Sequence, residues 1–334
     1  FTLFGPDLAL IGGAYLAGAV VASGVAIVLA RRVCPYLRIS VSSFDRRKVK
    51  ELCGMGWWVS IDQVGYLFLF QIDLIAVNLL FGATSAGEYA IALQWRILLE
   101  AVAGTLASVL VPTILTYYAL EQTQSLIVIS QSAVKFMGLA MALPVGLICG
   151  LAPQLLTVWV GTEHANLALL MVLLTAHLSV NMSVKPLFPI NVAHKKVRIP
   201  GIMTIFFGML NLMLAIAIPL VTGWGYYGIA VAGAIVLTLR HTLFVPWYVA
   251  RVLKIRMVTY LKLLVPGALA TLFIGGVAVG IAMTFPLPSV ITLAIAGTVL
   301  TLIYGIIVLG FGLTTFEKRL FGSYLPQRWK KFIE

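Results

Sequence analysis

The sequence predicts an all-α protein, a polytopic membrane bundle of about nine transmembrane helices, and three observations predict it. Apolar residues gather into nine long runs, most at or above the roughly 20 residues a helix needs to cross the hydrocarbon layer. The composition is 61% hydrophobic with 10% charged residues, against about a quarter charged in soluble domains. Basic residues are sorted: 20 of the 23 fall in four segments between runs, and the alternate gaps at 82–87, 151–165, 222–226 and 284–289 hold none. That is the positive-inside bias of an inner-membrane protein. The runs are continuously apolar rather than alternating at every second residue, which excludes a β-barrel.

In chain order, run 8–30 ends at Arg31 and Arg32, opening a basic stretch that includes Arg38, Arg46, Arg47, Lys48 and Lys50. Within it, 36–51 reads as a surface-lying amphipathic helix, with Ser42 as N-cap and Asp45 as its capping-box partner. Runs 52–81 and 87–117 follow across a short glycine-containing gap, then 126–150 after a loop that carries Glu121 and no basic residue. The gap 151–165, with Pro153, Trp159 and Gly161, reads as an interfacial segment. Run 165–184 leads to the basic stretch 185–198, and runs 199–221 and 226–250 lead to a second at 251–262. Runs 263–284 and 289–313 precede a basic tail. Nine crossings place the start of the first run outside and the C-terminus in the cytoplasm. Pro112, Pro144, Pro219, Pro246 and Pro266 lie inside runs, where each removes a backbone hydrogen bond and bends its helix. No connection is long enough to fold alone, so the chemistry belongs inside the bundle. The chain starts at Phe1 without the order of a signal peptide, and is read as a piece whose N-terminal portion is missing.

The net charge of +12 does not point to nucleic acid, because the basic residues flank spans, where they set topology and meet anionic lipid headgroups. Cys34, Cys53 and Cys149 offer neither a disulfide framework nor metal spacing. There is no phosphate-binding glycine loop and no Ser/His/Asp constellation, so no catalytic residue, metal or cofactor is expected. His177 and His241 read as packing histidines.

Three basic residues remain inside apolar runs: Arg96, Lys135 and Arg240. Ionisable groups at such depth are costly and face the interior or a wet cavity. At about 1.5 Å per residue, Asp73 and Arg96 lie at similar depth on consecutive antiparallel spans, which predicts an ion pair. Arg96 and Glu100 share a face four residues apart, and Asp62 lies three turns before Asp73 on the same face. Arg240 and Lys135 show no carboxylate partner in the sequence, and are expected with Arg96 to line a cavity that holds an anionic group. Arg suits phosphate because its planar fork binds bidentately. Asp62, Asp73 and Glu100 are the expected ion-pair or coupling partners.

From Gly54 to about Arg251 the pattern resembles the polysaccharide-transporter (O-antigen flippase) family of the multidrug/oligosaccharidyl-lipid/polysaccharide exporter superfamily. The passage Asp73-Leu74-Ile75-Ala76-Val77, Phe81-Gly82, then Gly87-Glu88-Tyr89-Ala90 carries most of the likeness. Pro112, Pro144, Ala152-Pro153 with Gly161, Ala193-His194-Lys195-Lys196, Asn211 and Gly225-Tyr226-Tyr227-Gly228-Ile229-Ala230 follow in order. His194 stands where the family commonly has Gly. The resemblance implies a fragment of a two-lobe, 12–14-helix, MATE-like transporter. Residues 1–31 would be the last helix of the N-terminal lobe and 32–51 a cytoplasmic linker. Residues 52–250 would be the six-helix C-terminal lobe, and 251–334 two added helices and a tail. It also implies a flippase for undecaprenyl-diphosphate-linked oligosaccharide in the bacterial inner membrane, with membrane lipids as partners and H+ or Na+ as candidate coupling ion. The rivals are a lipid II flippase, a cation-coupled drug antiporter, and a membrane glycan polymerase or ligase.

Overall fold

The computed structural model describes residues 8–33 and 45–312; Ser42 and the basic tail lie outside them. Internal contacts separate the chain into two units, 1–54 and 55–334. The described part of the first holds helix α1 (Leu8–Val33), whose side chains from Gly12 onward are all exposed, and the opening turns of α2 (Arg46–Phe70). Asp45 is the N-cap of α2: its carboxylate accepts the Arg47 N–H at 2.8 Å and the Lys48 N–H at 3.4 Å. This corrects the sequence reading, in which Asp45 served a helix already begun at Ser42. The basic residues after Asp45 open the second membrane pass directly.

In the second unit, a long α3 (Ile72–Ala119) has 48 residues. At about 1.5 Å per residue that is more than twice the roughly 30 Å hydrocarbon core. Gly82 resolves the excess. Its φ of 83° and ψ of 174° are non-helical, a conformation that a Cβ would strain. Contacts on either side pair Asp73 with Arg96, Phe70 with Arg96 and Tyr66 with Glu100, so the chain reverses there. Residues 56–119, a single apolar stretch, are therefore two antiparallel passes.

The rest is α4 (Thr123–Gly150), a short α5 (Ala152–Val160), α6 (Ala168–Thr175), α7 (Leu178–Ser183), α8 (Phe188–Ala193), α9 (Arg198–Thr222), α10 (Tyr226–Leu239), α11 (Val245–Leu253), α12 (Met257–Thr284) and α13 (Val290–Ile307). Helices α6 to α8 belong to one interrupted pass, Thr162–Ala193, and α10 with α11 to another, Tyr226–Leu253. With the Gly82 reversal, the described residues make nine passes, the number the runs predicted.

Residue registers confirm the alternation. Trp58, Gly65 and Phe68 of α2 meet Gly201, Thr204 and Gly208 of α9 in ascending order, so passes two and six are parallel. Ser130, Gly138 and Gly146 of α4 meet Tyr260, Gly267 and Ile274 of α12 likewise, so passes four and eight are parallel. Glycines permit both approaches: a Cβ on Gly65 would stand 2.6 Å from the Ile205 nitrogen, and one on Gly267 2.8 Å from Gly138 backbone carbon. Between helices in lipid, where no hydrophobic force draws them together, such close packing is the main attraction.

Candidate functional site

Polar residues of α2 and α3, two of α9, and Arg240 with His241 build two stations in the apolar interior. The first is closed. Arg96 is 2% exposed and Asp73 0%. The Arg96 Nη1 lies 3.0 Å from Asp73 Oδ2 and its Nε 3.1 Å from Glu100 Oε1. Its Nη2 donates to the Phe70 carbonyl at 2.8 Å, and the guanidinium stacks 5.1 Å from the Phe70 ring centroid. Asn211 of α9 donates to Asp73 Oδ1 at 3.0 Å, and the Tyr66 hydroxyl to Glu100 Oε2 at 3.3 Å. Every nitrogen of this guanidinium is occupied. Depth counting found the Asp73–Arg96–Glu100 network, and its chemistry is that of a lock between passes two and three.

The second station is open. Asp62 of α2 accepts the Thr204 hydroxyl at 2.5 Å, and Arg240 Nη2 donates to the same hydroxyl oxygen at 2.8 Å. Arg240 Nη2 stays 3.8 Å from Asp62 Oδ1, beyond hydrogen-bond reach. Its Nη1 lies 3.2 Å from His241 Nε2, while His241 Nδ1 lies 2.8 Å from the Leu237 carbonyl. A carbonyl only accepts, so Nδ1 carries the proton and Nε2 receives from Arg240. Arg240 Nε is buried and has no hydrogen-bond partner among the described residues. The expectation that Arg240 has no carboxylate nearby is corrected: Asp62 faces it across Thr204, a pairing invisible in sequence because it joins three separate passes.

Arg240 opens a π-helical turn, Arg240–Phe244, between α10 and α11. Pro246 follows it and has no N–H for the residue 242 carbonyl, so the helix widens where π-bulges mark functional positions. The turn faces a cavity of about 380 Å³ lined by Asp62, Gln63, Tyr66, Lys185, Asn191, Arg240 and His241, with Phe70, Phe188, Phe244 and Tyr248 as its aromatic wall. The volume lies within the roughly 300–1,000 Å³ usual for small-ligand sites.

Of the three cations expected in such a cavity, Arg240 alone is in its wall. Arg96 is sealed in the first station. Lys135 sits half-buried on α4, outside this wall, and is not an unpaired charge. The second cation is Lys185, which sequence reasoning counted among loop residues. It follows Val184, the end of the apolar run in the sequence, yet the pass resumes through α8 as far as Ala193. The resumed Leu187-Phe188-Pro189-Ile190 was the available signal. Lys185 Nζ donates to the Glu100 carbonyl at 3.1 Å, beside Gly104. His177 bonds Asn181 at 2.7 Å on α7, a packing role.

Residues 1–117 match the family described as polysaccharide biosynthesis protein. An uncharacterized membrane protein, EpsK, of Bacillus subtilis (strain 168) is 33% identical over 320 residues, covering 96% of this chain. The N-terminal third of the chain is thus similar to polysaccharide biosynthesis proteins. The chain spans 63% of the length of EpsK, and no solved structure matches it. The open polar station lies among helices long and apolar enough to cross a membrane.

Proposed function

We propose that this chain is part of a flippase that moves undecaprenyl-diphosphate-linked oligosaccharide across the bacterial cytoplasmic membrane by alternating access, with no chemical conversion. The observation that carries the reading is the cavity: two cations, a neutral histidine and amide side chains beside an aromatic wall, all within an apolar bundle whose N-terminal third is similar to polysaccharide biosynthesis proteins. Arg240 and Lys185 suit a diphosphate, and Asn191, Gln63 and the aromatic rings suit a sugar. The lipid tail stays in the bilayer. Membrane transporters place such sites near midplane and line them with interrupted helices, as the broken pass through α6–α8 and the π-turn before α11 do here.

A cation-exchanging antiporter fits less well. It would need a carboxylate free to exchange a cation, whereas Asp73 and Glu100 are paired with Arg96, and Asp62, in the cavity wall, has the Arg240 guanidinium 3.8 Å away.

The test is complementation of a flippase-deleted strain by the full-length gene, then by Arg240→Ala and Lys185→Ala variants, with surface glycan as readout. Restoration by the wild type and loss with both variants is the expected result. Normal surface glycan from both variants, at equal protein levels, would overturn the cavity assignment.

A further inference from the structure

The two stations have the same parts: a carboxylate three turns apart on one pass, a hydrogen-bonding residue of α9, and an arginine. They differ in completeness. Arg96 makes a direct ion pair and has an acceptor at each of its three nitrogens. Arg240 meets its carboxylate only through Thr204, keeps a buried Nε without a partner, and faces the cavity. A buried guanidinium held at 3.8 Å from its counter-ion is under-coordinated, since charged groups out of water favour direct, hydrogen-bonded pairing.

We infer that Asp62 is an internal competitor for the anion site: it holds Arg240 in the empty cavity, and a phosphoryl group entering beside Lys185 takes the guanidinium from it. The inference rests on the cavity being a phosphoryl-binding site, as proposed above, and adds how that site is regulated. A phosphoryl oxygen offers Arg240 the direct contacts that Asp62 does not, including one to Nε, and Lys185 supplies the second positive charge. Asp62 retains the Thr204 hydroxyl, so its charge is not left bare when Arg240 turns away. Because Arg240 sits on the π-turn ahead of α11 while Asp62 and Thr204 sit on α2 and α9, the exchange loosens passes two and six from pass seven. Occupancy of the cavity is thereby tied to helix movement.

The sign of the expected effect separates this from a merely structural pair. Removing a structural partner weakens a site, whereas removing a competitor strengthens it. The full-length protein in phosphatidylcholine nanodiscs is titrated with inorganic diphosphate by calorimetry, as wild type, Asp62→Asn, Arg240→Gln, Lys185→Gln and the distant Lys254→Gln. Asp62→Asn, which keeps an acceptor for Thr204, should bind about fivefold or more tighter. Arg240→Gln and Lys185→Gln should each bind about tenfold or more weaker, and Lys254→Gln should match wild type. Equal or weaker binding by a folded Asp62→Asn overturns the competitor role, and unchanged binding by Arg240→Gln overturns the site. Displacement of diphosphate by phosphatidylglycerol in the nanodisc would reassign the site to a membrane headgroup. Should the complementation test fail while Asp62→Asn still sharpens diphosphate binding, the flippase reading falls and this one stands.

Discussion

Arg96 and Arg240 carry the same charge in the same bundle and do opposite work, and the difference lies in their unspent donors. Arg96 gives every nitrogen to an acceptor buried with it. Truncating it strands Asp73 and Glu100 in the bundle, and breaking a buried pair in this way costs about 3–5 kcal/mol. Arg96→Ala should therefore lower the thermal unfolding temperature sharply in detergent. Arg240 gives two nitrogens to neutral acceptors, so Arg240→Ala should cost only about 1 kcal/mol while abolishing glycan export. Equal loss of stability in the two variants, by circular dichroism melts, would argue against this division of labour. The sequence made half of the contrast legible. Depth and helical spacing bring Asp73, Arg96 and Glu100 together because all three sit on one hairpin. The Asp62–Thr204–Arg240 station is assembled from passes two, six and seven, and nothing local encodes which pass lies beside which. Lys185 was missed for another reason: a lysine followed by proline looks like the end of a span, and only the apolar residues beyond it say otherwise.

At the scale of elements, hydropathy located every pass, because lipid forces each backbone to satisfy itself within a helix. It did not show where helices are interrupted. Pro246 was legible as a bend, yet the π-turn that presents Arg240 depends on how the freed carbonyl is accommodated. Pro246→Ala restores the missing N–H and should regularise the turn, rotating Arg240 out of the cavity wall. Unfolding temperature should hold or rise, while export falls toward the Arg240→Ala level. Unimpaired export in that variant would separate the π-turn from function. Packing gives a sharper contrast. A methyl on Gly267 would meet Gly138 backbone at 2.8 Å, whereas one on Gly276 meets nothing within 4 Å. Gly267→Ala should cost about 1–3 kcal/mol by forcing α4 and α12 apart, and Gly276→Ala should cost nothing. If the two melts coincide, the close parallel contact of these helices is not what holds α12 in place.

Across the whole molecule, the charge distribution and the helix registers reach one topology by independent routes. Basic residues alone orient each span by where translocation is disfavoured, with no knowledge of which helices touch. The registers show passes two and six parallel, four and eight parallel, and two and three antiparallel, with no reference to charge. Both require that the connection at Arg251–Arg256, between passes seven and eight, lie on the opposite side of the membrane from Gly223–Gly225, between passes six and seven. Positive-inside bias predicts the absolute sense, with the segment carrying Arg251, Lys254 and Arg256 expected on the cytoplasmic side and the uncharged turn at Gly223 expected on the outer side. Fusions of the full-length protein, truncated at each connection, to alkaline phosphatase and to green fluorescent protein read this directly. Phosphatase should be active when joined at Trp224 and inactive at Ile255, with fluorescence reversed. The inverse pattern at both sites would keep the fold and invert the orientation. The same phosphatase activity at both sites would show that Tyr226–Leu253 does not cross the membrane, and would break the pass count at pass seven.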